Sequence, residues 1–319
     1  MPDPHPDETA DVASVSPTTP PPPVEPEFDE GDPKTLLQRR VKSALLALPG
    51  YFSFDSPISG INATDLFNLN TLLGAGIEVA VVRTLNRLRE VWDPDDELLG
   101  YRFERSSQAF PDVRLVRRDT GTPDIALGIE LKGWFLLAKE GVPSLRYQVT
   151  PAACAPHDLI CVVPWHLSNA VAGDAQVVEP WIRSARYAAE WRDYWWEFVR
   201  QTKGASPGVD HPGNAQPYPS KAELVAAVPR YDGGGNFGRL PRCKPLMDDF
   251  IDRTGRHEIL GIPVQDWQLF LRVHSDTATP DDTVKTLQAR LNARLGPLSG
   301  ATAERVLYLL EEVAALLRP

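Results

Sequence analysis

The feature that most limits the fold is a change of hydrophobic period near residue 100. Before it, in "TDLFNLNTLLGAGIEVAVVRTLNRLREVW", Leu72, Ile77, Val81, Leu85 and Leu88 recur near helical spacing, and "DPDD" ends the run. After it, "YRFER", "PDVRLVRR" and "IALGIELKGW" alternate or run apolar at strand length, with the turn chemistry of "DTGTP" between the last two. The spacing predicts a helix followed by an antiparallel meander of three strands. Next, "DLICVVPW" suits a strand buried on both faces, and "EPWIRSARYAAEWRDYWWEFVRQ" reads as a long helix. This order predicts an α/β fold, a mixed central β-sheet flanked by helices.

Further helical segments are expected at both ends. "KTLLQRRVKSALLAL" follows the cap-like Asp32-Pro33 and stops at Pro49-Gly50. Residues 203–245 read as loops, "SPGVDHPGNAQPYPS" and "YDGGGNFGRLPRCK", around a short helix "KAELVAAV". Residues 246–319 return to helix in "DDTVKTLQARLNARLG" and "GATAERVLYLLEEVAALLR". Without an internal repeat or a second boundary, residues 33–319 read as one domain with its core at 65–200.

The net charge of −10 is uneven. Residues 1–33 hold nine acids and no Lys or Arg, leaving 34 of the 43 acids against all 33 bases. The body is nearly neutral, so the acidic total does not exclude a nucleic-acid partner. Residues 1–32, with "PTTPPPPVEPE", read as a disordered Pro-rich acidic tail. The chain has no run of eighteen apolar residues and no basic-then-apolar leader, so a cytoplasmic protein with no membrane role is expected. Cys154, Cys161 and Cys243 lack pair spacing and read as reduced thiols.

The chemistry concentrates at the second hairpin. With Gly121 at the centre of the turn, residues whose numbers sum to 242 face each other, setting Val113 against Ile129, Leu115 against Leu127 and Asp112 against Glu130. Glu130 and Lys132 share a face with Asp112. Opposed residues have Cβ atoms ~5 Å apart, so two carboxylates there would repel without a cation between them. Lys132 and a bound Mg²⁺ would supply that charge, and Mg²⁺ takes one or two protein carboxylates together with waters and phosphate oxygens. Such a site suits phosphodiester hydrolysis, with the ammonium orienting the attacking water.

Pro111-Asp112 followed on the next strand by Glu130-Leu131-Lys132 resembles the PD-(D/E)XK nuclease signature, over roughly residues 65–200. The resemblance implies a restriction-endonuclease-like core and a Mg²⁺-dependent, sequence-specific double-strand DNA endonuclease of type II restriction character, leaving 5′-phosphates, with Mn²⁺ able to substitute. It implies catalytic Asp112, Glu130 and Lys132, and metal ligation by Asp112, Glu130 and the Leu131 carbonyl. It further implies double-stranded DNA as partner, a homodimer, and a cognate DNA methyltransferase encoded nearby. A repair or structure-specific nickase, or a non-catalytic DNA-binding protein keeping the fold, are the alternatives.

Pro-Asp occurs six times, so the pair alone carries little. Asp124, also after a proline, is the rival first carboxylate, although a continuous strand puts it ~20 Å from Glu130. The family often adds a helix carboxylate, which makes Glu78 either a further ligand or half of a buried ion pair with an arginine. Arg230, Arg239, Arg242 and Lys244, interleaved with glycines, are candidate DNA contacts. Trp181, Tyr187, Trp191, Tyr194, Trp195 and Trp196 are expected to pack in the core or a dimer, as are Leu307, Leu310, Val313, Leu316 and Leu317. His157 and His166 lack paired ligand spacing and read as structural.

Overall fold

The pivot of the fold is one strand with different neighbours at its two ends. The computed structural model describes residues 19–54, 69–106, 109–119, 121–138, 142–200 and 208–273, with isolated positions between 279 and 312. β1 (Arg102–Arg105), β2 (Val113–Arg117) and β3 (Asp124–Phe135) form the expected antiparallel meander. β4 (Leu159–Leu167) is buried along its whole length and runs parallel to β3, making the sheet mixed. β5 (Ala175–Val177) and β6 (Trp181–Ser184) pair antiparallel with the two ends of β4. The sheet of six strands runs β1-β2-β3-β4-β5, with β6 also on β4.

Helices cover the curled sheet. α1 (Pro33–Leu46) starts where expected, its first turn capped by the Asp32 carboxylate accepting from Lys34 N. α2 (Leu48–Tyr51) is a single turn. α3 (Leu69–Arg87) and α4 (Arg89–Trp92) together form the second expected helix, interrupted at Leu88. Ile77, Val81, Leu85 and Leu88 are buried as their spacing requires. They join one apolar cluster with Val41, Leu115, Ile129 and Val162. No helix among the described residues is long and apolar enough to cross a membrane.

One expected helix is shortened at its start and another is replaced. "EPWIRSARYAAEWRDYWWEFVRQ" begins as strand β6, and only α5 (Ala185–Tyr194) plus a wider turn at Trp195–Val199 is helical. Ser184 caps α5 by accepting from Tyr187 N, so the residues before it are free to pair with β4. "KAELVAAV" forms turns ending in β8 (Val228–Pro229), which pairs with β7 (Val209–Asp210). Its backbone bonds residues 148–150 instead, Thr150 N donating to Val225 O and Ala227 N to Gln148 O. An eight-residue helix closed by a proline is marginal in isolation, and these pairings satisfy the same groups.

α6 (Asp248–Gly255), the hairpin β9 (Glu258–Ile259)–β10 (Ile262–Pro263) and α7 (Val264–Val273) follow. Arg305, Tyr308, Leu309 and Glu312 are helical, whereas Leu307, Leu310, Val313, Leu316 and Leu317 lie outside the described residues. Residues 19–32, expected in the tail, run against the body. Glu25 accepts from Ser184 N at 2.8 Å, and the Phe28 ring lies 4.2 Å from that of His157.

Candidate active site

The β2–β3 ladder has the expected register at its chemical end, with Val113 opposite Ile129 and Leu115 opposite Leu127; a bulge then shifts it by one residue towards the turn. β2 begins at Val113 because Pro111 has no N–H to donate to β3. The Phe110–Pro111 bond is cis. Beyond the ladder's end the Leu131 N–H donates to Asp112 Oδ2 at 3.0 Å. The carboxylate thus takes the place of a missing backbone acceptor, which locks it beside β3.

Gly128 is required at this junction. A Cβ there would lie 2.5 Å from the Pro111 ring and 2.8 Å from Asp158 Oδ1. Its N–H donates to that Asp158 oxygen at 2.8 Å. Asp158 is fully buried and also accepts from Ala155 N and from the Tyr218 hydroxyl, at 2.8 and 2.9 Å. Burial pushes its carboxyl up, and the hydrogen bonds and the Arg114 charge oppose the rise.

Asp112, Glu130 and Lys132 come together as expected. Lys132 Nζ lies 2.6 Å from Glu130 Oε1 and 3.7 Å from Asp112 Oδ2. Glu130 is only 6% exposed, while about a third (32%) of the Asp112 side chain meets solvent. Burial, then the Glu130 charge, pushes the Asp112 carboxyl up to about 7, against the pull of Lys132 and the Leu131 N–H. Burial alone would lower the Lys132 ammonium, but Glu130 and Asp112 outweigh it and hold it above its ordinary value. Lys132 therefore only partly offsets what burial and the Glu130 charge do to Asp112.

The donor set is the test of fit for a divalent cation. Two adjacent carboxylates, one of them raised by burial and then by its neighbour's charge, make a hard oxygen donor set suited to Mg²⁺. Leu131 meets Asp112 through its N–H. Among the described residues no three of His, Cys, Asp and Glu gather at one point, so most of an ion's coordination would come from water and substrate.

Asp112 and Glu130 open into a cleft of about 230 Å³, whose other wall is Pro219, Ser220, Lys221, Glu223 and Val225. Sequence reasoning missed this wall, together with Asp158 and Tyr218. The available signal was the aromatic between prolines in "QPYPS", which marks a held loop. The Tyr218 ring also receives the Arg114 guanidinium, 5.9 Å from its centroid.

The remaining candidates fall elsewhere. Asp124 starts β3, six residues from Glu130, where it accepts from the Tyr101 hydroxyl and pairs with Arg117 at 3.1 Å. Glu78 is ion-paired with Arg105 at 2.6 Å, yet stands near enough for its charge to raise Lys132. Arg230 pairs with Asp210, Lys244 with Asp248 and Arg242 with Asn236, while Arg239 bridges to Arg146 through the backbone. The cleft is lined by Pro219–Val225 in their place. Trp196 is buried against Phe237 beneath Arg200, the packing role expected. All three cysteines are buried and free.

No family model matches the chain, and no curated protein or solved structure is found to be similar to it.

Proposed function

We propose that the chain is a divalent-metal-dependent DNA endonuclease of the PD-(D/E)XK type, with a restriction-endonuclease-like core. The observation that carries the reading is the cluster itself: Lys132 Nζ lies 2.6 Å from buried Glu130 and 3.7 Å from Asp112, and both acids line one cleft. A solvated surface pair would not bury its glutamate to 6% exposure.

Asp112 and Glu130 would hold Mg²⁺ or Mn²⁺. When bound, such an ion lowers the pKa of a coordinated water and offsets charge on a phosphate oxygen. The chain's own residues do the rest. Glu130, buried and held by Lys132, cannot swing away. Leu131 N–H fixes one oxygen of Asp112, which lines the cleft. Lys132, kept protonated, supplies the positive charge that a pentacovalent phosphate develops against. Phe110 and Val225 give the cleft an apolar lining beside the two acids.

Double-stranded DNA is the substrate on this reading. A two-fold dimer would cut both strands, and a methyltransferase encoded nearby would protect the host's own sites. The test is incubation of varied DNA, methylated and unmethylated, with the protein and Mg²⁺ or Mn²⁺, with EDTA and Lys132→Ala as controls. Metal-dependent cleavage lost in Lys132→Ala is expected. No cleavage of any substrate sinks the reading and leaves a binding protein.

A further inference from the structure

Away from the cleft, His166 at the end of β4 and His257 between α6 and β9 bring their Nε2 atoms within 3.4 Å. The ring centroids are 5.4 Å apart, 2.0 Å further than the nitrogens, so the rings point at each other through those atoms. We propose that this pair binds one borderline transition-metal cation, of the class of Zn²⁺, Ni²⁺ or Cu²⁺, and staples the α6–β9 unit to the central sheet.

The spacing favours an ion over a bare hydrogen bond. Two imidazoles on one tetrahedral zinc, each at ~2.0–2.1 Å, place their nitrogens ~3.3–3.4 Å apart. An N–H donor is most often found at ~2.9–3.0 Å from its acceptor, so the observed separation is long for that alternative. The tautomer is also set. His166 Nδ1 lies 2.9 Å from Leu167 O, which can only accept, so the proton sits on Nδ1 and the Nε2 lone pair is free.

Both residues are anchored before any ion arrives. His166 is 5% exposed on a paired strand. The backbone of His257 donates to Thr254 O at 3.1 Å and accepts from Val264 N at 2.8 Å. Burial lowers both imidazoles from their ordinary value, which keeps them neutral and able to ligate. Mg²⁺, which prefers oxygen, gains nothing from two imidazoles. Since no third His, Cys, Asp or Glu among the described residues completes the set, water fills the other positions. The site is thus independent of the proposed nuclease centre in ligands and in ion.

The experiment is calorimetric titration of metal-stripped full-length protein with Zn²⁺, repeated on Asp112→Asn, His166→Gln and His257→Gln. Nitrogen NMR of labelled histidines reports which rings respond. Expected are one ion per chain in Asp112→Asn, where only the histidine site remains, a loss of at least about tenfold in the affinity of that ion in each histidine variant, and Nε2 shifts at both rings. Zn²⁺ should also raise the melting temperature of the intact protein and leave that of His257→Gln unmoved. If His166→Gln loses its far-ultraviolet dichroism, His257→Gln, whose ring is partly open to water, decides alone. Overturning results are no uptake by the intact chain, unchanged uptake by His257→Gln, or uptake abolished by Asp112→Asn.

Discussion

Replacing Asp112 by Asn should stabilise the metal-free protein while abolishing its proposed activity. The Asp112 carboxyl is moved from 3.8 to about 7 by burial and by Glu130. A carboxyl whose folded pKa lies above its unfolded value binds its proton more tightly when folded, so its ionisation costs stability as pH rises from about 4 through about 7, and the cost is complete above that. The interval is worth roughly 4 kcal/mol, which we halve to about 2 kcal/mol because a third of the side chain is open to water and the carboxyls titrate together. Asn keeps the size, can accept from Leu131 N–H and can donate to Glu130, but has nothing to ionise.

The assay is thermal unfolding in EDTA. At about pH 8.5 Asp112→Asn should melt roughly 3–4 °C above the native sequence, and at about pH 5 the two should nearly coincide. Saturating Mg²⁺ or Mn²⁺ at the higher pH should raise the native protein alone and close the gap. An Asn variant that melts at or below the native protein at the higher pH, or a gap that ignores pH, would refute the reasoning.

Gly128→Ala, which puts a methyl group 2.5 Å from Pro111 and 2.8 Å from Asp158, should cost about 1–3 kcal/mol in urea unfolding; an unchanged midpoint means the junction is looser than its contacts imply. Lys132→Met removes a charge that persists until the pH passes its raised pKa, and so should cost about 2 kcal/mol near pH 8 and less near pH 5, where Asp112 is protonated, a trend read from melting temperatures. Asp124→Asn touches only Tyr101 and Arg117 at the turn and should leave cleavage within about threefold of native, whereas near-complete loss would return Asp124 to the first-carboxylate role.

The central strands were legible because their periods are unambiguous, and a register centred on Gly121 holds from Val113 to Leu115, beyond the bulge that shifts the pairs nearest the turn. The rule of opposed numbers thus placed Val113 against Ile129 and brought Asp112 to Glu130. The bulge nearer the turn left no trace in sequence, since either register buries Leu115 and Val116. Strand β6 was hidden in a helix-like run because four residues are too few to show a period, although Ser184 carried a cap signal. The cleft wall at Pro219–Val225 and the His166–His257 contact join segments about ninety residues apart, which no local pattern encodes.

The position of the candidate site follows from a failure of pairing. β3 is paired on one side with β2 only up to Ile129, while on the other it pairs with β4 from Ile129 to Phe135. Glu130, Leu131 and Lys132 therefore sit where one neighbour has ended and the other persists, a rigid strand with one open edge. An open edge buried in a fold would leave N–H groups without acceptors. Asp112 answers that need for Leu131, and the proline before it is what ends the ladder in time for the side chain to do so. The acid is thus a structural acceptor on one oxygen, while about a third of its side chain (32%) stays open to water. Held in that way beside Glu130, it cannot relax from the like charge by moving. Burial and that like charge together leave the carboxyl at about 7 despite Lys132, and protonation or an added cation relieves both.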